Sequence, residues 1–154
     1  QLLGIEVSPV STAKEAVQGT DVVIAITNVR TLDPVLLGEW LEPGMHINAA
    51  GANSITRREL DDAAVTRSAI IVADAWDQAK LECADLAVPI SSGLLDWDRV
   101  LELGQVVTGQ TPGRTNDEEI TLFESQGIAL EDVAAAAHIF ERAEAEGIGE
   151  QLPF

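Results

Sequence analysis

The 154-residue sequence predicts an α/β fold, a parallel sheet with flanking helices. Short runs rich in β-branched residues recur at strand length. Segments with helical patterning stand between them. The connections are too long for hairpins and suit right-handed crossovers.

Taken in order, Ile5-Glu6-Val7-Ser8-Pro9-Val10 alternates and predicts a strand, which Pro9 confines to an end or an edge. Thr12-Ala13-Lys14-Glu15 has capping-box spacing and opens a short helix that should stop at Gly19. Asp21 to Thr27 is a continuous apolar run around Val22-Val23-Ile24-Ala25-Ile26, and predicts a strand buried on both faces. Asp33-Pro34 starts a helical turn through Leu36, Leu37 and Trp40. Pro43-Gly44 is a turn, and Met45 to Ala50 is the next strand. Arg57 to Ser68 predicts a helix with its charges facing out, Ala69 to Ala73 a buried strand, and Asp74 to Cys83 a helix. Beyond Ala84 the rhythm changes. Val88 to Gly93 is loop-like, Asp96 to Leu103 is a candidate helix, and Gly104, Gly109, Pro112 and Gly113 break up the stretch after it. Glu119 to Glu124 is a further strand candidate. Leu130 to Glu146 is the clearest helix, with Leu130, Val133, Ala134, Ala137 and Phe140 on one face and Gly147 at its end.

Apolar residues make up 46% and charged residues 23% of the chain, a globular rather than a disordered composition. The 26 Asp and Glu outnumber the 9 Lys and Arg, for a formal net charge of −17. Such a surface repels phosphate, so neither nucleic acid nor an anionic membrane is an expected partner. Local backbone amides can still hold a small anionic ligand. One cysteine, Cys83, excludes an internal disulfide and a cysteine zinc cluster. His46 and His138 are distant in sequence, and no pair has metal-ligand spacing, so no metal is expected. No apolar run approaches a membrane span and no signal peptide is visible, so a cytoplasmic location is the default expectation. The start at Gln1 without an initiator Met, soon before a strand, predicts a piece of a larger protein.

In an open parallel sheet, ligands bind beyond the carboxyl ends of the strands. That rule selects Thr27-Asn28, Ala50-Gly51-Ala52-Asn53 and Asp74. Thr27 and Asn28 suit a ribose or amide but also ordinary turn chemistry. Gly51 allows a close backbone approach or simply a tight turn. Asp74 reads chiefly as a helix cap, and Cys83 as a small buried residue. No G-x-G-x-x-G occurs, so the chain is either a different α/β fold or the second half of a nucleotide-binding domain.

Several segments carry a resemblance, in order along nearly the whole chain. They are residues 16–28, residues 40–53, Arg57-Arg58-Glu59-Leu60-Asp61, residues 102–109 followed by Gly113-Arg114-Thr115, and Glu119 to Asp132. Together they resemble the ornithine cyclodeaminase/mu-crystallin family. The resemblance implies that residues 1–127 form the second half of a Rossmann-type domain binding NAD or NADP. It implies that residues 128–154 carry a helix returning to a dimerisation and substrate domain that this chain lacks.

By the family pattern Thr27 would lie on the cofactor, and Ala50 and Gly51 would approach its nicotinamide side. Arg57 matches a basic cofactor contact, Ser125 would sit near the nicotinamide, and Gln126 would face substrate. Asn53 stands where ornithine cyclodeaminases carry a catalytic Asp, and an amide cannot exchange a proton as that carboxylate does. Glu124 stands where a Lys is common. The expected activity is hydride transfer to or from the C=N carbon of an imino acid, such as a cyclic ketimine or 1-pyrroline-2-carboxylate. The alternatives are ornithine cyclisation to proline and a non-enzymatic, mu-crystallin-like binding role. The expected full-length assembly is a homodimer acting on a small amino or imino acid, and the 154-residue chain alone is expected to be inactive.

Overall fold

The apolar runs become strands, and each strand lies parallel to its neighbours. The structure, a computed structural model, describes residues 4–150 and 152–153. Strands β1 (Val22–Ala25), β2 (His46–Ala49), β3 (Ile70–Ala73), β4 (Val100–Glu102) and β5 (Thr121–Glu124) form one sheet in the order β1-β2-β5-β3-β4. All four pairings are parallel. The last strand in sequence therefore fills the middle of the sheet. The helices are α1 (Ala13–Val17), α2 (Asp62–Arg67), α3 (Trp76–Glu82), α4 (Ala84–Ser91), α5 (Leu103–Val107) and α6 (Ala129–Glu146). The expected α/β class, with a parallel sheet, flanking helices and a long C-terminal helix, is the one observed.

Register builds the core in rows. Ile47 pairs with Leu122, which pairs with Ile71, and all three are buried. Two residues nearer the carboxyl ends, the row runs Ala25, Ala49, Glu124, Ala73. Period-two alternation puts these side chains on one face. Three alanines around Glu124 leave room for its longer side chain. Leu36, Leu41, Met45, Leu60, Val65, Leu86 and Leu95 belong to the same cluster.

Several local expectations need correction. Residues 5–10 are exposed and form no strand, because alternation supplies a face but a ladder also needs a partner. The run around β1 is not buried on both faces. Val22, Ile24 and Ile26 are exposed, Ile24 by 65%, on a sheet face that nothing in the described residues covers there. The expected helix from Arg57 is confined to Asp62–Arg67. Residues 58–60 spend their backbone elsewhere: Arg58 N–H on Thr31 O, Glu59 O on the amides of Val35 and Leu36, and the Glu59 and Leu60 amides on Asp85 Oδ1. Val88–Gly93 is a loop only at Ser92 and Gly93, since α4 runs through Pro89 to Ser91, with Ala84, Leu86 and Pro89 buried and α4 packed on α2. Asp96–Leu103 is not a helix but a short 3-10 turn over Trp97–Arg99 followed by β4. The helical turn from Asp33 shrinks to a 3-10 turn at Gly38–Trp40.

Other elements fold as read. Thr12 caps α1 by accepting the Glu15 amide, and α1 ends before Gly19 at φ +70. Gly147 closes α6 in the left-handed conformation. The face of α6 carrying Leu130, Val133 and Phe140 is exposed along with the rest of the helix. No helix among the described residues is long and apolar enough to cross a membrane.

Candidate functional site

Three strand ends meet at one edge of the sheet. The ladder continues past the strands through Ala50 N–H to Ala25 O, Ser125 N–H to Ala49 O and Asp74 N–H to Glu124 O. Beyond it lies an open cleft of about 420 Å³ lined by Ile26, Asn28, Ala50, Gly51, Asn53, Arg57, Ser125, Gln126 and Gly127. Of the residues singled out from the sequence, Ala50, Gly51, Asn53, Arg57, Ser125 and Gln126 all face this one cleft. Thr27 does not line it; its hydroxyl turns inward and donates to Glu59 Oε1 at 2.6 Å.

Two carboxylates hold the cleft wall. Glu59 Oε1 accepts from Thr27 N–H (2.7 Å), the Thr27 hydroxyl and Asn28 N–H (3.1 Å), while Oε2 accepts from Gly51 N–H (3.1 Å). The loops after β1 and β2 thus share one anion. Gly51 must be glycine, because a Cβ there would stand 2.2 Å from Glu59 Oε1. Asn28 has φ +52, a conformation that Asn tolerates better than most residues, and its Oδ1 accepts from Arg57 Nη1 at 3.0 Å. Asp74 does the same for the loop after β5. Its Oδ2 accepts from Ser125 Oγ (3.1 Å), Gln126 N–H (2.8 Å) and Gly127 N–H (2.9 Å). Its cap role is slight, one bond from Ala75 N–H to Oδ1 at 2.7 Å.

Beneath the wall the electrostatics are unusual for a protein this acidic. Asp85 accepts the amides of Glu59 and Leu60, each at 2.9 Å, and lies 3.8 Å from Arg58 Nε. Burial pushes its carboxyl up from 3.8 to about 6, against the pull of those amides and of Arg58. Glu124 is fully buried. Burial raises its carboxyl well above the ordinary range, and the charges of Asp85, Glu59 and Asp74 add to the rise. Its Oε2 accepts from Cys83 Sγ at 3.5 Å and its Oε1 has no partner. Burial first, then the charges of Glu124 and Asp85, raises the Cys83 thiol, which fits the inert reading of that cysteine.

The cleft offers distinct chemistry from residue to residue. The backbone at Ala50 and Gly51 presents a floor with little side chain. Ser125 offers a hydroxyl oriented by Asp74. Gln126 is only 7% exposed, yet neither its Oε1 nor its Nε2 has a partner. A buried amide left with an unused donor and an unused acceptor fits a ligand carrying a matching amide. Asn53 is exposed at the rim, and Arg57 is the charged side chain on the wall. Sequence reasoning missed Glu59 and Asp85. The signal available for Glu59 was its place one residue before an apolar Leu60 in a charged stretch, which by itself reads as a helix surface.

Comparison with known proteins gives consistent results. The model of the ornithine cyclodeaminase/mu-crystallin family matches residues 1–147. The Delta(1)-pyrroline-2-carboxylate reductase of Bacillus cereus is 38% identical over 141 residues, which cover 91% of this chain and 42% of the reductase. The ketimine reductase mu-crystallin of Mus musculus is 40% identical over 131 residues, 85% of this chain and 38% of that protein. The solved structure of Thermococcus litoralis Delta(1)-pyrroline-2-carboxylate reductase, in complex with NADH and L-proline, superposes with a TM-score of 0.89 at 37% identity. It is matched over 98% of this chain and 46% of its own. The chain therefore spans less than half the length of these relatives.

Proposed function

The chain belongs to the ornithine cyclodeaminase/mu-crystallin family, and from that premise we propose that the complete protein containing it is an NAD(P)-dependent oxidoreductase. The reaction is hydride transfer to or from the C=N carbon of an imino acid, of the cyclic ketimine or 1-pyrroline-2-carboxylate kind. The observation that carries this reading is the convergence of Ala50, Gly51, Asn53, Arg57, Ser125 and Gln126 on one cleft at the carboxyl edge of a parallel sheet. The relatives support the substrate class, since pyrroline-2-carboxylate and ketimine reductases are among them.

The residues present fit the nicotinamide half of such a cofactor. The unpaired amide of Gln126 and the Asp74-oriented hydroxyl of Ser125 supply donors and acceptors, and Gly51 keeps the floor low. Bound there, the cofactor supplies the hydride. The chain's own residues bind, orient and exclude water. Ser125 and Gly51 would position the ring side, Gln126 would meet the substrate, and Arg57 would contribute a positive charge, tethered through Asn28, for an anionic group. Asn53 can hydrogen-bond a substrate but cannot carry a proton away, which weighs against ammonia-eliminating cyclisation of ornithine. In this reading residues 1–127 belong to the cofactor-binding domain. The exposed apolar face of α6 meets a dimerisation and substrate domain, and the whole protein is a cytoplasmic homodimer.

The test is reduced-cofactor oxidation by the protein expressed from its complete coding sequence, with NADH and with NADPH, over a panel of cyclic imines. Turnover with 1-pyrroline-2-carboxylate or a six-membered ketimine is expected. Cofactor binding with no oxidation across the panel refutes the reading and favours a binding role. Proline and ammonia formed from ornithine would put cyclodeaminase activity in its place.

A further inference from the structure

We propose that Glu59 is the positioning residue of this cleft: one buried carboxylate sets the loops after β1 and β2 against each other, where the nicotinamide side of the cofactor would lie. The proposal deepens the proposed reductase function and rests on it for its kinetic consequence.

Four donors from two loops converge on this side chain. Thr27 and Asn28 lie 32 and 31 residues from Glu59 in sequence, and Gly51 lies 8 away. The register of β1 and β2 ends at Ala25 and Ala49, so beyond the Ala50 bond no strand pairing fixes the two loops to each other. Glu59 does so instead, and its own frame is rigid. Its amide is held by Asp85 Oδ1, and its carbonyl accepts from Val35 and Leu36. The residue is 0% exposed, so the carboxylate cannot swing to water. With three donors on one oxygen and one on the other, it has no free reach toward a substrate. It acts through Thr27, Asn28 and Gly51 rather than by exchanging a proton with the reacting atoms. Two cleft-lining residues, Asn28 and Gly51, are placed by it directly, and Arg57 is placed through Asn28.

Glu59→Gln separates this role from simple core stabilisation. An amide keeps one acceptor and turns an NH2 group toward one loop, where it meets a donor. In the complete protein, backbone amide exchange at Thr27, Asn28 or Gly51 should accelerate about tenfold or more, while β3 (Ile70–Ala73) exchanges as in the wild type. With NADH or NADPH and 1-pyrroline-2-carboxylate, kcat should fall about 10- to 100-fold at saturating substrate, the penalty for a misplacement of about 1 Å. Glu59→Asp keeps the charge but spans less, and should fall between the two. It also serves if the Gln variant does not fold. Activity within about twofold of the wild type with unchanged local exchange overturns the proposal, as does acceleration spread evenly over the sheet. A wild type that binds no cofactor and turns nothing over defeats the functional reading instead. The exchange comparison still decides the role of Glu59.

Discussion

Replacing Gly51 by Ala should cost far more than a methyl group usually does. The added Cβ would stand 2.2 Å from Glu59 Oε1 and 2.4 Å from Oε2. An ordinary C···O contact is about 3.3 Å, so the carboxylate must retreat by about 1 Å. It is not free to do so, because its oxygens hold Thr27 N–H, the Thr27 hydroxyl, Asn28 N–H and Gly51 N–H. A retreat of that size takes bonds of 2.6–3.1 Å beyond useful range. Hydrogen bonds to a charged group are worth about 1.5–3 kcal/mol each. If about half of this set re-forms after relaxation, the loss is roughly 3–6 kcal/mol of folding stability. The assay is urea unfolding of the complete protein, followed by circular dichroism, with Gly104→Ala as the matched control. Gly104 lies in α5 with nothing within 4 Å of its would-be Cβ, so that change should be neutral or stabilising by up to about 1 kcal/mol. A Gly51→Ala protein within about 1 kcal/mol of the wild type would refute the argument that Glu59 is immovable. Adding Glu59→Asp to Gly51→Ala should recover part of the loss, since the shorter acid withdraws from the methyl.

The buried acids and the buried thiol give two more expected outcomes. The Asp85 carboxyl is raised in the folded state, from 3.8 to about 6, so its contribution to stability is fully present below pH ~4 and is lost as pH rises through about 6. That interval is worth roughly 3 kcal/mol. Asp85→Asn should flatten the dependence of unfolding free energy on pH across that window, and an unchanged slope would show that Asp85 titrates normally. Cys83 is buried and its thiol is raised, so iodoacetamide at mildly alkaline pH should leave the native protein unmodified and label it only under denaturant; prompt labelling of the native state would contradict the burial.

The sequence by itself determined the class of the fold and the neighbourhood of the site. The β-branched runs at Val22–Ile26 and Ala69–Ala73 are best satisfied by extended pairing, and the intervening lengths suit parallel crossovers. Because ligands gather beyond the carboxyl ends of such strands, Asn28, Ala50, Gly51 and Asn53 could be marked before any coordinates, and family resemblance added Arg57, Ser125 and Gln126. Tertiary structure decided where local rules and distant partners compete. Arg57–Leu60 has the composition of a helix surface, yet the Glu59 carbonyl that a helix would use accepts the amides of Val35 and Leu36, far back along the chain. Pro89 reads as a breaker, yet burial beside Leu86 carries α4 through it. β5 enters between β2 and β3, a choice made by rows of side chains meeting across the sheet. Whether a glutamate is a surface charge or the buried anion between two loops depends on which donors surround it. For Glu59 the farthest of those donors stand 31 and 32 residues away along the chain, beyond the reach of any local pattern.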